Sequence, residues 1–283
     1  YRWFNNPVEL ASDAETDIFV ELIGGAEGVA REAVTAALKA GKSVVTANKA
    51  LIAAHGIELA KLAEAQGVAL KFEAAVAGGT PVVSGIGQGL VATSITEIRG
   101  ILNGTCNFVL DQMTMHGAAY EQAVKDAQQA GYAEADPSFD VDGIDAAQKL
   151  AILATLAFDG VVDESLISVT GISGITPSDI DAARRLGCAI KLVCSANREN
   201  GQVTLRVSPT FVPQTHPFAA AEGAGNAVSV KADPLGELLF TGPGAGAGAT
   251  AAAVAADICA IVQCGAVSVF PQRAEDLGPL EYA

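Results

Sequence analysis

Asp17-Ile-Phe-Val-Glu-Leu-Ile-Gly-Gly25 is the stretch that decides the fold, because two helix–strand units follow it at short spacing. Its apolar run predicts a buried strand that ends at the glycine pair. A helix is predicted over residues 28–40, a strand over Ser43–Thr46, a second helix over 57–66 and a third strand over 68–72. Strands that alternate with helices through short links indicate a parallel sheet with right-handed crossovers.

Beyond about residue 77 the pattern changes to that of a separate α+β domain. The predicted helices there span residues 105–115, 119–130, 143–158 and 177–186, and the predicted strands span 93–102, 188–196, 203–207, 228–231 and 235–240. Asn200-Gly201 is a favoured hairpin turn between two of these strands. A long helix is predicted over 248–263, and residues 275–283 are expected to form a tail or the start of a removed extension. The fold class is therefore α/β, with a parallel-sheet domain and an α+β domain.

Composition limits the class of protein and its partners. A chain of 283 residues fits one large or two ordinary domains. Half of the residues are hydrophobic, but the excess is alanine and glycine and only 5% are aromatic, which favours tightly packed helices over a β-sandwich. The formal net charge of −15 argues against nucleic acid or an anionic membrane as a partner, because both require a basic surface.

The cysteines and the apolar runs indicate an intracellular chain without a membrane span. The chain has five cysteines, an odd number without a C-x-x-C pair, so reduced and buried thiols are expected. The longest run of small apolar residues, 245–256, is too short to span a bilayer. No secretory signal is recognisable at the start, which predicts a cytoplasmic location. The chain begins at Tyr1 rather than at a methionine, so the true N-terminus is expected to be absent.

The segment Glu134 to Asp145 contains five carboxylates within twelve residues, and a single amine, Lys149, follows them. In a helix Asp145 and Lys149, which are four residues apart, lie on one face. A lysine that faces several carboxylates suits a substrate that carries an ammonium group and needs a proton moved. The simpler alternative is an acidic loop followed by a helix with one salt bridge, and spacing alone leaves both open. An EF-hand calcium loop is excluded, because the position of its bidentate glutamate holds Lys149.

Residues 131–149, GYAEADPSFDVDGIDAAQK, closely resemble the active-site segment of homoserine dehydrogenases. Four further segments agree with that family in order: VTANKA (45–50), FEAAVAGGTP (72–81), GILNGTCN (100–107) and FTGPGAG (240–246). The resemblance covers nearly the whole chain, and five ordered motifs are more specific than any one of them. It implies an NAD(P)-dependent oxidoreductase that interconverts L-homoserine and L-aspartate 4-semialdehyde by hydride transfer, a step in the biosynthesis of threonine, methionine and isoleucine.

By the same resemblance, Glu134, Asp140 and Asp145 bind the substrate. Lys149 is the catalytic residue, which gives its proton to the carbonyl oxygen as the hydride arrives. Cys106 is a poor candidate for a nucleophile, since no histidine is placed by the sequence to activate it, and this argues against an aspartate-semialdehyde dehydrogenase. The remaining alternative is a non-catalytic amino-acid-binding or oligomerisation module.

Residues for an NAD or NADP cofactor are also implied by the resemblance: Gly24, Ala47, Lys49, Gly131 and Gly246. Lys49 follows a predicted strand at its carboxyl end, where open α/β sheets bind ligands, although a solvated surface lysine fits the same spacing. Read alone, the glycine-rich run over 244–249 is a flexible turn into a helix. In the family this helix returns to pack on the nucleotide domain. The choice between NAD and NADP stays open.

A monovalent cation, sodium or potassium, is a further group that the resemblance implies. Its ligands would be Glu73 and the carbonyl oxygens of Val76, Gly78 and Thr80. From the residues alone, a structural turn is the simpler interpretation of this segment. The three histidines of the chain have no metal-ligand spacing to one another.

The resemblance implies that the parallel-sheet domain is a partial Rossmann-like domain, and it gives each predicted domain a role. Residues 1–76 with 241–270 form the nucleotide-binding domain, and residues 77–240 form the substrate-binding and dimerisation domain of a homodimer or homotetramer. Homoserine dehydrogenases begin with a strand and a G-x-G-x-x-G turn, which would precede Tyr1. The chain is therefore expected to be a fragment without the first βαβ unit and without a C-terminal regulatory domain, and to bind NAD(P) weakly or not at all by itself.

Overall fold

The computed structural model describes residues 2–13 and 15–283, so the expectation that rests on Tyr1 lies outside the described residues. The α-helices in this part of the chain are α1 (Pro7–Ser12), α2 (Val29–Lys39), α3 (Lys49–Gln66), α4 (Val82–Ser84), α5 (Gly104–His116), α6 (Tyr120–Gln129), α7 (Ser138–Val141), α8 (Ile144–Phe158), α9 (Pro177–Arg185) and α10 (Ala247–Cys264). The strands are β1 (Ile18–Glu21), β2 (Ser43–Thr46), β3 (Leu70–Lys71), β4 (Ser94–Ile101), β5 (Ser168–Val169), β6 (Cys188–Glu199), β7 (Gln202–Pro213), β8 (Gly225–Asp233), β9 (Gly236–Pro243) and β10 (Glu281–Tyr282). Single turns of 3-10 helix occur at Glu73–Ala75, Glu164–Leu166 and Pro217–Ala220, and a π-helical turn occurs at Gly85–Gly89.

The chain forms two compact units. The first unit comprises the residues up to Ala92 together with Ala151–Val162 and Gly246–Leu280. The second unit comprises Thr93–Leu150, Asp163–Ala245 and Glu281–Ala283. The boundaries predicted from the sequence, after residue 76 and before residue 241, do not coincide with this division.

The segment that follows residue 76 belongs to the first unit because its backbone is fixed there. The buried carboxylate of Glu73 accepts hydrogen bonds from the backbone N–H groups of Val83 (2.9 Å) and Ser84 (2.8 Å) in α4. Gly87 lies so close to Val269 that a Cβ atom on the glycine would stand 2.1 Å from the valine carbonyl oxygen. Such contacts join residues that are distant in the sequence, so no local sequence pattern predicts them.

A three-stranded parallel sheet in the order β1-β2-β3 forms the centre of the first unit, as the sequence predicts. The buried residues of α2 follow the spacing of a single helix face: Ala30, Ala33, Val34, Ala37 and Leu38. α10 packs on the same sheet, where Ile261 clusters with Val45 and Ala69. The helix after the glycine-rich run therefore packs on this unit, as the resemblance implies.

α3 begins eight residues earlier than the sequence pattern indicates, at Lys49 rather than near residue 57. The reason is a side-chain cap, because the Oδ1 atom of Asn48 accepts a hydrogen bond from the backbone N–H of Leu51 at 3.1 Å. Leu51 and Ile52 are buried in the first turn of the helix. The segment after β2 is thus helical from its first residues.

The second unit is built on a seven-stranded sheet in the order β10-β7-β6-β4-β8-β9, with β5 paired to β7. The strands from β7 to β9 along this order are antiparallel. Asn200 and Gly201 join β6 to β7 and both have positive φ, 52° and 87°, which a tight two-residue hairpin turn requires. The predicted hairpin is confirmed, and both of its strands extend beyond the predicted 188–196 and 203–207. α5 and α9 contact β6.

The end of the chain is ordered structure, so the predicted tail over residues 275–283 is wrong. Leu277 is buried, and Leu280 lies against Gly160, where a Cβ atom would stand 2.5 Å from the leucine Cδ2 atom. Glu281 and Tyr282 form β10, which pairs with β7. The expectation failed because β10 is a two-residue strand that is stabilised by a partner far away in the sequence.

The cysteines are all outside disulfides, as expected, but they are not all buried. Cys106 and Cys194 are buried and Cys188 is half-buried. Cys259 and Cys264 lie exposed on α10, so the expectation of buried thiols is wrong for these two. The apolar sequence around them reflects the composition of the helix rather than its burial.

α10 also changes the expectation about membrane spans. The helix runs 18 residues to Cys264 with a mean hydropathy of 1.6, and by length and composition it could cross a membrane. The shorter run over 245–256 on which the expectation rested is therefore not the whole apolar element. One such helix is weak support for a membrane span, because core helices of globular proteins pass the same test.

Candidate active site

Asp145 and Lys149 form an ion pair at the start of α8 in the second unit. The Nζ atom of Lys149 donates to the Oδ2 atom of Asp145 at 2.8 Å and to the carbonyl oxygen of Leu102 at 2.8 Å. The side chains of Lys149 and Asp145 are only 12% and 5% exposed. The spacing of four residues does put both groups on one face, and the pair is shielded from water rather than solvated.

Asn103 links this pair to a third predicted residue. Its Nδ2 atom donates to the Oδ1 atom of Asp140 at 2.7 Å and to the Oδ2 atom of Asp145 at 2.8 Å. Its Oδ1 atom accepts from the backbone N–H of Cys106 at 2.8 Å, which makes Asn103 the N-cap of α5. Three of the four predicted substrate and catalytic residues are thus held in one hydrogen-bonded group by a side chain that the sequence reasoning did not assign.

Thr105 supports the same group from the first turn of α5. Its hydroxyl donates to the carbonyl oxygen of Tyr132 at 2.7 Å and lies 3.2 Å from the Oδ2 atom of Asp140. Asp140 itself lies in the short helix α7, whose first residue follows Pro137. The loop of residues 132–140 is thereby attached to the N-terminus of α5.

Burial disfavours the thiolate form of both thiols in this region. Burial raises the pKa of the Cys106 thiol well above its ordinary value, and the carboxylates of Asp140 and Asp145 add to the effect. Burial likewise raises the pKa of Cys194 to about 12. Cys106 donates its Sγ hydrogen to the carbonyl oxygen of Asp140 at 3.1 Å. Thiolates are the reactive form of cysteine, so neither residue suits covalent catalysis.

Glu134 and Gly131 lie in the turn after α6, apart from the hydrogen-bonded group. Gly131 has φ of +78°, the left-handed conformation that ends many helices, so its position has a structural explanation. Glu134 is exposed, and its carbonyl oxygen accepts a hydrogen bond from the Nε2 atom of Gln128 at 3.0 Å. Their roles in substrate and cofactor binding stay predictions.

The predicted cofactor residues of the first unit lie at the carboxyl ends of β1 and β2 and at the start of α10. Gly24 follows β1, Ala47 follows β2, and Lys49 is the first residue of α3. Gly246 is the N-cap of α10 with φ of +115°. A Cβ atom at Gly24 or Gly246 would meet nothing within 4 Å. The open backbone at both glycines fits a nucleotide, which binds at this edge of parallel sheets.

A buried carboxylate at the same edge escaped the sequence reasoning. Glu21, the last residue of β1, has no exposed surface. Its Oε2 atom accepts from the hydroxyl of Thr46 and its Oε1 atom accepts from the backbone N–H of Gly24. The sequence does mark this residue, since Glu21 is the one charged residue between Ile18 and Gly25. A charge inside an apolar strand indicates a position with a specific partner.

The predicted cation ligands lie around the turn after β3. Glu73 is buried, and each of its oxygens accepts one backbone N–H of α4. The carbonyl oxygen of Thr80 accepts from the N–H of Val82 at 2.8 Å, and Val76 is buried. Carboxylate and carbonyl oxygens are the donors that hard cations prefer, so the chemistry of this set fits sodium or potassium. Among residues 2–13 and 15–283, no group of three or more His, Cys, Asp or Glu side chains is placed to hold a metal ion.

Asp257 adds a second buried acid beside Glu73. Its Oδ2 atom accepts the backbone N–H of Glu73 at 2.8 Å. Burial raises the pKa of Asp257 to about 6, and the charge of Glu73 adds to the effect, whereas the N–H of Glu73 and the Lys71 ammonium oppose it. Burial lowers the pKa of Lys71 itself.

The family models and the curated relatives that match this chain all name homoserine dehydrogenase. A family model described as "Homoserine dehydrogenase" matches residues 81–259, and one described as "Homoserine dehydrogenase, NAD binding domain" matches residues 5–73. A homoserine dehydrogenase of Neisseria gonorrhoeae is 46% identical over 258 residues, which is 91% of this chain and 59% of that protein. The chain thus spans 59% of the length of this curated relative.

Solved structures agree in fold as well as in sequence. A homoserine dehydrogenase of Thiobacillus denitrificans superposes with a TM-score of 0.93 at 44% identity, over 99% of this chain and 66% of that one. A hyperthermophilic archaeal homoserine dehydrogenase in complex with NADPH superposes with a TM-score of 0.80 at 29% identity, over 92% of this chain and 76% of that one.

Proposed function

The chain belongs to the homoserine dehydrogenase family, and from this premise we propose that the whole protein catalyses the NAD(P)-dependent interconversion of L-homoserine and L-aspartate 4-semialdehyde. The pathway served would be the biosynthesis of threonine, methionine and isoleucine. The observation that carries the proposal is the shielded ion pair of Lys149 with Asp145, which Asn103 ties to Asp140.

The acidic residues of the second unit bind the polar end of the substrate. L-Homoserine carries an ammonium group, and Glu134, Asp140 and Asp145 supply the carboxylates that attract it. Hydrogen bonds between charged partners are about twice as strong as neutral ones. A neutral amide, Asn103, keeps Asp140 and Asp145 at a fixed separation without occupying the place of the substrate cation.

Lys149 moves the proton. An ammonium group has three N–H donors. Two of them are directed at the Asp145 carboxylate and at the carbonyl oxygen of Leu102, and these bonds orient the side chain. The third donates to the aldehyde oxygen of the semialdehyde in the reductive direction. In the oxidative direction the neutral amine accepts the proton of the homoserine hydroxyl.

The first unit binds the cofactor. When bound, the nicotinamide ring of NAD(P)H supplies the hydride. Its proposed binding residues in that unit are Gly24, Ala47, Lys49 and Gly246, and the resemblance adds Gly131. The open backbone at Gly24 and Gly246 supports this assignment.

The remaining assignments concern the cation, the assembly and the location. Glu73 and the carbonyl oxygens of Val76, Gly78 and Thr80 hold sodium or potassium. The protein acts in the cytoplasm as a homodimer or homotetramer, without nucleic acid or membrane partners. The acidic net charge of −15 supports the last statement.

Lys149→Ala in the whole protein tests the proposed activity. We expect kcat for NAD(P)-dependent homoserine oxidation to fall by about a hundredfold or more, since general acid–base catalysis contributes that much. Homoserine affinity, measured by calorimetry, should change little. Lys125→Ala removes an exposed lysine of α6 and is the matched control. Homoserine binding without any turnover in the unaltered protein would favour the alternative of a non-catalytic amino-acid-binding module.

A further inference from the structure

Glu21 is a buried charge that the proposed chemistry does not use. It has no exposed surface, although a carboxylate in the interior costs free energy unless hydrogen bonds compensate it. Compensation comes from three donors: the backbone N–H of Ile23 (2.6 Å), the backbone N–H of Gly24 (3.0 Å) and the hydroxyl of Thr46 (2.6 Å). The carboxylate therefore joins the turn after β1 to the end of β2.

Thr46 and Asn48 extend this connection into a closed network. The Thr46 hydroxyl oxygen accepts the backbone N–H of Asn48 at 2.9 Å while it donates to Glu21. The Nδ2 atom of Asn48 donates back to the carbonyl oxygen of Gly25 at 2.8 Å. The turn after β1 is thus bonded to the loop after β2 twice, through Glu21 and through Asn48. The side chains of Glu21, Thr46 and Asn48 are all buried.

The residues fixed by this network are those assigned to the cofactor. Glu21 holds the N–H of Gly24, Ala47 lies between Thr46 and Asn48, and Asn48 caps the helix that Lys49 begins. Gly24 has φ of +89°, a left-handed conformation in a turn that is otherwise open to solvent. We propose that Glu21 is a positioning residue for NAD(P), whose carboxylate fixes the turn at Gly24 and the loop at Ala47 in the binding geometry. This inference rests on the proposed function.

Only a carboxylate satisfies all three donors at once. Both of its oxygens accept, one from two N–H groups and the other from the hydroxyl. A glutamine has one acceptor oxygen and an NH2 group, which would meet either the two backbone N–H groups or the Thr46 hydroxyl. With the NH2 group toward Thr46, the hydroxyl oxygen can accept it on its second lone pair beside the Asn48 N–H, but the hydroxyl hydrogen then loses the acceptor that Glu21 provides.

The test compares Glu21→Gln, Thr46→Val and Thr46→Ser in the whole protein, because this chain by itself is expected to bind NAD(P) weakly or not at all. Thr46→Val keeps the branched shape and removes the hydroxyl, whereas Thr46→Ser keeps the hydroxyl. Glu32→Gln, an exposed glutamate of α2, controls for the change in charge. In a fluorescence titration with NADPH, we expect Kd to rise about tenfold or more for Glu21→Gln and Thr46→Val, because hydrogen bonds to charged groups are lost. Thr46→Ser and Glu32→Gln should bind as the unaltered protein does.

Amide hydrogen exchange without cofactor gives the second readout. Exchange in residues 22–25 should accelerate in Glu21→Gln and Thr46→Val but not in Thr46→Ser, with α5 and β6 unchanged. Unaltered NADPH affinity in both disrupting variants, or unaltered exchange of this turn, overturns the inference while the proposed function stands. Failure of the unaltered protein to bind NADPH overturns the proposed function and the positioning role together. If Glu21→Gln does not fold, the two Thr46 variants decide.

Discussion

Glu134 is the predicted substrate residue that the hydrogen-bonded group does not include, and its role can be separated from that of Lys149. Glu134→Gln removes a charge that we assign to the substrate ammonium. We expect KM for homoserine to rise roughly tenfold to a hundredfold with little change in kcat, since one charged hydrogen bond is worth about 1.5–3 kcal/mol. Asp142→Asn, an exposed carboxylate of the same segment, is the control in steady-state kinetics. An unchanged KM with a collapsed kcat would exchange the roles given to Glu134 and Lys149.

Asp257 makes the stability of the protein depend on pH in a defined direction. Burial raises the pKa of Asp257 in the folded state to about 6, from its ordinary value of 3.8, which applies to the unfolded chain. Between these values the folded state holds a proton that the unfolded state has lost, so the contribution of Asp257 to stability is present below the lower value and is lost as pH rises through the upper one. Asp257→Asn stays neutral, and its amide oxygen can still accept the N–H of Glu73.

We therefore expect Asp257→Asn to gain stability relative to the unaltered protein as pH rises from about 4 to about 7. The measurement is the free energy of unfolding in urea at both pH values. Asp181→Asn, whose side chain is 58% exposed, is the control and should show no such trend. A difference between Asp257→Asn and the unaltered protein that is constant over this range would contradict the assignment.

At the scale of elements, Gly171 sets the position of α7, which carries Asp140. A Cβ atom on Gly171 would lie 2.3 Å from the carbonyl oxygen of Val141 and 2.5 Å from the Cα atom of Asp142, and backbone atoms cannot yield as a side chain can. We expect Gly171→Ala to lower the free energy of unfolding by about 1–3 kcal/mol. Gly174→Ala, where a Cβ atom meets nothing within 4 Å, should change it by less than about 0.5 kcal/mol. The free energy of unfolding of both variants is measured in urea. Equal losses would show that the backbone around Gly171 moves to accept a Cβ atom at little cost in free energy.

Elements with a repeated pattern could be predicted from the sequence, and elements that depend on distant partners could not. α2 shows its buried face directly in the spacing of its alanines and leucine, and the β6–β7 hairpin is marked by Asn200-Gly201. β10 has only two residues and exists because β7 offers an edge. α3 was predicted too short because its first turn is defined by the Asn48 cap rather than by periodicity.

In the whole molecule, the candidate site also depends on contacts between residues that are distant in the sequence. The resemblance supplied Asp140, Asp145 and Lys149, and the structure brings these three together. Asn103 lies 37 to 42 residues from the carboxylates it binds, so no local pattern reveals the contact. Glu21 and Thr46 are likewise 25 residues apart in sequence. Side chains that position others are found from the folded chain, whereas the groups that do chemistry are found from motifs.

Net charge gives the proposed assembly a testable salt dependence. Each chain carries −15, so two copies repel each other, and salt screens this repulsion over about 8–10 Å at physiological concentration. Phe211 of β7, which is 51% exposed in a hollow of the second unit's sheet, is the apolar side chain that we assign to the proposed interface. In light scattering we expect the mass to approach twice 28.6 kDa or a higher even multiple. This association should occur at lower protein concentration as salt increases.

Phe211→Asp should weaken association, because in a twofold interface one substitution acts twice. Leu186→Asp, at a residue that is 68% exposed after α9, is the control, and a monomer mass for the unaltered protein at all salt concentrations would refute the assembly.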